Sequence, residues 1–131
     1  MKVQKAFLVI ASAAAGTAVI LGAFGAHALK ARLAPEQLAV FETGVRYQMY
    51  HAFALFVAAW MAEKFPGPTA TRAGWLFASG IILFSGSLYL LATRSLLGIE
   101  SWTWLGPVTP LGGLCFIAGW TFLLIAAIRG K

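Results

Sequence analysis

Uncharged stretches, broken at intervals by short polar punctuation, set the pattern of the chain. Residues Ala6 to Ala26 form 21 consecutive positions without a charge, which at about 1.5 Å per residue is enough to cross a hydrocarbon core of about 30 Å. A first membrane helix over 6–28 follows. Lys2 and Lys5 before it, and Ala26-His27-Ala28 after it, also fit the outline of a secretory signal. The run exceeds the signal core of about 7–15 residues, so we read it as a retained helix.

The second element begins with Pro35-Glu36-Gln37-Leu38, a proline and an acid suited to the first turn of a helix. At 100° per residue Leu38, Phe41, Val45, Ala52 and Phe56 fall on one side, with Phe56 expected to face lipid. Glu42, Arg46, Tyr47, Tyr50 and His51 fall on the other half. The start of this helix is therefore amphipathic and interfacial. The wholly apolar stretch Ala52 to Ala62 carries it into the bilayer, for a span of 35–62 with a bend expected at Gly44.

Phe65-Pro66-Gly67-Pro68-Thr69 is a dense turn signal. A second uncharged run of 21 residues, Ala73 to Thr93, predicts a third helix over 73–93. Glu100, Trp102, Trp104 and the pair Gly106-Pro107 suit the headgroup zone. A fourth helix is expected over 109–128, capped by Thr109. The predicted architecture is all-α: a single domain, 1–131, forming an integral membrane bundle of four transmembrane helices.

Composition supports that solvent. Hydrophobic residues make up 60% and charged residues 11% of the 131 positions, against about a quarter charged in an average soluble domain. The net charge of +6 comes from bases scattered singly between apolar runs, not from a stripe, so nucleic acid is not the expected partner. The lipid bilayer is. Four helices put both termini on one side, with Lys2, Lys5, Lys64, Arg72, Arg129 and Lys131, against Lys30, Arg32, Arg46 and Arg94 on the other. That bias predicts cytoplasmic termini. Trp60 and Trp75 would mark one interface, and Trp102 and Trp104 the other.

Candidate chemistry is sparse. The lone Cys115 permits no intrachain disulfide, and the absence of Asp and Asn removes Asp-based catalytic sets and N-glycosylation signals. His27 and His51 lack a third ligand type nearby, so no metal or haem cofactor is expected. The polar half of the second helix, with His27 at the end of the first, forms the candidate cluster: His27, Glu42, Arg46, Tyr47, Tyr50 and His51. Glu42 and Arg46 are i,i+4 in the favourable order, as are Tyr47 and His51. Placed at the membrane entrance, they are expected to form a structural clasp. Ala14, Ala18, Gly22 and Ala26, at spacing four, are expected to form a close helix-packing seam.

Four strings carry a resemblance: Gly22-Ala23-Phe24-Gly25-Ala26-His27-Ala28-Leu29; Phe41-Glu42-Thr43-Gly44 with Tyr47 and His51-Ala52; Gly86-Ser87-Leu88-Tyr89; and Thr109-Pro110-Leu111-Gly112-Gly113 with Phe116 and Gly119-Trp120. In this order they resemble the small membrane family catalogued as domain of unknown function 423, whose animal relatives are called transmembrane protein 256. The resemblance implies a four-helix protein of the bacterial inner membrane and brings no activity or site residues with it. The expected role is a non-enzymatic scaffold or accessory subunit of a larger membrane complex or homo-oligomer. The alternative is a small transporter or a lipid- or small-molecule-binding protein. Proton-coupled transport needs an embedded acid, yet Glu36, Glu42, Glu63 and Glu100 all fall near predicted helix ends or in loops.

Overall fold

The computed structural model describes residues 2–131, and its regular structure is helical throughout. Four helices run in sequence: α1 (Val3–Leu29), α2 (Pro35–Lys64), α3 (Thr69–Leu97) and α4 (Leu105–Arg129). Three of them, α1, α3 and α4, are long and apolar enough to cross a membrane. α2, at 30 residues, is the longest but carries the polar positions. Its packing settles its course, because it lies antiparallel to α1 over their whole length. Gln4 Nε2 donates to the Ala62 carbonyl at one end (3.4 Å), and Phe41 packs on Gly25 at the other.

α2 is the hub. It packs on α1 along one side and on α3 along another, α3 packs on α4, and α1 and α4 do not meet among the described residues. The main core gathers Phe7, Leu55, Phe77, Phe116 and Leu123 around small residues such as Ala11, Ala58 and Ala73. A second, smaller core of Leu29, Leu33, Phe41 and Ala92 sits toward the loops Lys30–Ala34 and Gly98–Trp104. Between α3 and α4 the fit is steric and reciprocal. Phe77 lies over Gly119, where a Cβ would come within 2.6 Å of its ring, while Phe116 lies over Gly80 and the Phe84 backbone over Gly112. With lipid as apolar as the core, such close approach supplies the contact energy that water would otherwise supply.

Several expectations are corrected. Ala14 and Ala18 are buried against α2 and Gly22 meets Val45, but Ala26 is exposed and Gly25 takes its place. A spacing of four advances 400°, about 40° past a full turn at each step, so a strict i+4 series leaves the face by its fourth member. Phe56 is half-buried and packs on the main core instead of facing lipid. The expected continuity of α2 through Gly44 holds, in one helix from Pro35 to Lys64. α4 begins at Leu105, so Thr109 is no cap, and Pro107 sits in the first turn, where a missing N–H costs nothing. Both α1 and α3 contain a π-helical turn, at Gly25–Leu29 and Ile81–Ser85. Gly98 ends α3 with φ +69°, the left-handed conformation that glycine adopts freely.

Candidate functional site

The polar residues of α2 divide into an inner set and an outer set. Gln48, which the reading of the sequence passed over, is the centre of the inner set and is 5% exposed. Its Nε2 donates to the Ala14 carbonyl (2.8 Å) and to Thr17 Oγ1 (2.7 Å), while Tyr89 Oη donates to its Oε1 (2.6 Å). Thr17 in turn donates to the Ala13 carbonyl at 2.8 Å. A directed chain of hydrogen bonds thus joins α3 to α2 to α1. Its partners Ala14 and Thr17 flank Gly16, the midpoint of the uncharged run Ala6–Ala26, so the chain lies at the middle of the apolar span.

His51, less than one turn further along α2, is at similar depth, not at the membrane entrance expected for it, and is 4% exposed. Its ring stacks on Phe116 with centroids 3.5 Å apart and planes 8° apart. Trp120 Nε1 approaches His51 Nε2 at 3.2 Å, and His51 Nδ1 lies 2.7 Å from the Tyr47 carbonyl. An indole N–H can only donate, and a carbonyl can only accept. His51 is therefore the neutral tautomer with its proton on Nδ1, both nitrogens used. A second proton on Nε2 would face the Trp120 N–H, and a metal could reach that nitrogen only by displacing the indole. Two further bonds complete the interior: Ser85 Oγ donates to the Gly44 carbonyl at 2.7 Å, and Ser87 and Thr109 hydroxyls meet at 2.6 Å. Among the described residues no buried side-chain nitrogen or oxygen lacks a partner.

The outer set faces away from the bundle. Glu42 and Arg46 approach to 3.7 Å, with side chains 47% and 61% exposed. Among the described residues each has the other as its one ion-pair partner, so this pair ties α2 to no other helix. Val45 opposite Gly22 and Phe41 opposite Gly25 place them beside the last two turns of the uncharged run of α1. Tyr47 and Tyr50 lie between the two sets, with ring centroids 5.7 Å apart, on one wall of a groove of about 530 Å³ that Ile117 and Trp120 complete from α4. His27 is not brought to His51. It is exposed at the loop end of α1, on the wall of a different cavity. No three His, Cys, Asp or Glu side chains among the described residues are grouped closely enough to hold a metal ion.

In the sequence Gln48 is one more polar residue of the amphipathic part of α2, and its need for a partner shows only once that stretch is placed in lipid. Tyr89, Ser85 and Trp120 carry no mark in the sequence, because their roles depend on which helices are neighbours.

Comparison with known proteins agrees with a place in the membrane. The chain is 45% identical over 127 residues to the UPF0382 membrane protein YwdK of Bacillus subtilis (strain 168), covering 96% of this chain and 98% of that protein. It is 38% identical over 129 residues to the UPF0382 membrane protein SH2409 of Staphylococcus haemolyticus (strain JCSC1435), and 40% identical over 129 residues to SAB0533 of Staphylococcus aureus (strain bovine RF122 / ET3-1), with the same coverage in both cases. No solved structure matches. The family described as protein of unknown function (DUF423) matches over residues 21–113, which takes in the whole polar core of α2 and the α3 half of its partners. This membrane protein, similar over nearly its full length to bacterial membrane proteins, belongs to that family.

Proposed function

We propose that the chain is a non-enzymatic assembly subunit of the bacterial inner membrane, with cytoplasmic termini, that associates through the outer face of α2. The observation that carries this reading is the exposed Glu42–Arg46 pair beside the apolar part of α1, in a chain whose interior polar groups are otherwise closed on one another. Charges that face lipid beside Gly22–Gly25, about 9–14 Å from Gly16 along α1, carry a cost that is smaller than the about 2.5–3.5 kcal/mol of an arginine at the centre of an isolated helix but still unfavourable. A protein surface that answers both charges relieves the cost. A second copy related by a two-fold axis along the membrane normal keeps the two Glu42 side chains at one level and the two Arg46 side chains about 6 Å away along the helix, so the Arg46 of one copy answers the Glu42 of the other by a diagonal reach. Tyr50, Phe53, Val57 and Trp60 continue the same exposed stripe and supply its apolar contact.

Catalysis finds little support in this arrangement, because His51 has no free nitrogen and no nucleophile adjoins it. Extraction of the full chain from native membranes into lipid-preserving polymer particles, followed by native mass measurement, tests the reading. An assembly heavier than the monomer, reduced to monomer by Glu42→Gln with Arg46→Gln, is expected. A monomeric wild-type chain refutes it.

A further inference from the structure

A cavity of about 690 Å³ opens between the loop end of α1 and the loop end of α3, where those two helices diverge and Phe41 of α2 forms the back wall. Its inner surface is apolar, with Phe24, Leu29, Leu90 and Leu97 prominent, and its mouth carries His27 and Arg32. No acidic residue lines it. Glu36, the nearest acid in sequence to that mouth, lines a separate cleft on the α4 side of α3. The π-helical turn at Gly25–Leu29 turns Gly25 and Leu29 inward toward Phe41 and leaves His27 and Ala28 on the cavity side.

The dimensions fit one leaflet. Leu21 to Leu29 on α1 and Tyr89 to Leu97 on α3 each run about 12 Å along the helix axis, close to the about 15 Å of a single leaflet's hydrocarbon. On α1 the apolar depth begins at Leu21, about 7.5 Å from Gly16 along the axis, and the basic mouth lies at the headgroup level, beside Lys30. A long apolar slot with a cationic opening matches a molecule with an acyl chain and an anionic head.

We propose that this cavity is a binding site for one anionic phospholipid drawn from the leaflet on the side of the loops Lys30–Ala34 and Gly98–Trp104. The acyl chain lies against Phe41 and Leu90, and the phosphate accepts hydrogen bonds from Arg32 and His27. Arg32 presents a forked donor set suited to phosphate oxygens, and His27 a ring N–H. The site is separate from the outer face of α2 and does not depend on the assembly reading.

The test uses the full chain purified in a mild detergent, with thermal unfolding and native mass spectrometry as readouts. The probes are dioleoyl phosphatidylglycerol, dioleoyl phosphatidylcholine with the same chains, and soluble glycerol phosphate. Phosphatidylglycerol is expected to raise the unfolding temperature and to remain as a single adduct, with the other two probes giving neither effect. Arg32→Gln is expected to weaken binding about fivefold, the order of one basic residue at a lipid surface. Arg94→Gln, at the same membrane level but lining the other cleft, leaves it unchanged. Ala28→Trp, at an exposed position on the cavity wall, fills the slot and abolishes the adduct. Equal stabilisation by phosphatidylcholine would reduce the cavity to ordinary lipid contact and overturn the proposal. So would an effect of glycerol phosphate alone, equal losses in Arg32→Gln and Arg94→Gln, or an adduct that survives Ala28→Trp.

Discussion

Replacing Tyr89 by phenylalanine removes one oxygen and, with it, the 2.6 Å hydrogen bond to Gln48 Oε1. The ring stays where it is, against Phe41 at 5.0 Å and over Gly44. What is lost is one interhelical bond at mid-span, worth about 0.6 kcal/mol on average between membrane helices and up to about 1.7. A short, buried bond whose acceptor is left unpaired belongs in the upper half of that range. Gln48→Leu breaks three bonds at once, two of them to α1, for a loss of about 2 kcal/mol by the same average. It strands only one group, because Thr17 keeps its bond to the Ala13 carbonyl and the Ala14 carbonyl is also served within its own helix. That group is the Tyr89 hydroxyl. Tyr89→Phe should therefore cost about 1 kcal/mol in the wild-type background and nothing, or a slight gain, in the Gln48→Leu background. Reversible unfolding of the full chain in mixed micelles, followed by tryptophan fluorescence, yields the four stabilities of this double-mutant cycle. Equal costs in the two backgrounds, to within about 0.3 kcal/mol, would show that Tyr89 and Gln48 do not share a bond and would undo the directed chain across α3, α2 and α1.

Gly112→Ala places a methyl group on the Phe84 backbone and is expected to cost about 1–3 kcal/mol by overpacking, whereas Gly113→Ala meets nothing closer than 3.9 Å and should be nearly neutral; equal unfolding midpoints for the two refute the α3–α4 seam. A cycle on Glu42→Gln and Arg46→Gln in monomeric micelles should give a coupling of about 0–1 kcal/mol, as for other exposed pairs, and a larger value would mean that the pair is withdrawn after all. With Cys115→Ser as background, a cysteine at Ser101 should react with an impermeant thiol reagent in intact cells while one at Thr69 stays protected; the reverse pattern refutes cytoplasmic termini.

The long elements were legible because two runs of 21 uncharged residues have no other stable home than a membrane. The start of α4 was not, since Gly106-Pro107 reads as a break in a sequence although a first turn accepts both residues. Ala26 was misplaced by counting in fours on a helix of 3.6 residues per turn. The larger miss was depth. An amphipathic pattern at the start of α2 reads as interfacial, and only the pairing of Gln48 with Ala14 and Thr17 shows that the same polar surface reaches mid-span. Sequence reasoning put His51 in its candidate cluster with His27, Glu42, Arg46, Tyr47 and Tyr50 but passed over Gln48. In the structure Gln48 and His51 hold the interior, where their uncharged groups are closed by hydrogen bonds alone.

That choice of residues bears on why α2 is so polar. In lipid, the hydrophobic effect does not tell one helix pairing from another, and α1, α3 and α4 are interchangeable as apolar rods. Direction comes from groups that cannot be left unpaired. Gln48 selects α1 through Ala14 and Thr17, and α3 through Tyr89, while His51 selects α4 through Trp120. All three neighbours are thus specified from one turn of one helix. The cost falls on insertion, since α2 alone misses the hydropathy that the other three reach, and it is offset only when the neighbours are in place. The hub arrangement follows from this, and so does its open side. With the polar ties of α1 running to α2, and α4 tied to α2 through His51 and to α3 through the Ser87–Thr109 bond, no polar pair among the described residues draws α1 against α4, and the divergence of α1 from α3 at the loop end is left as the basic-mouthed cavity.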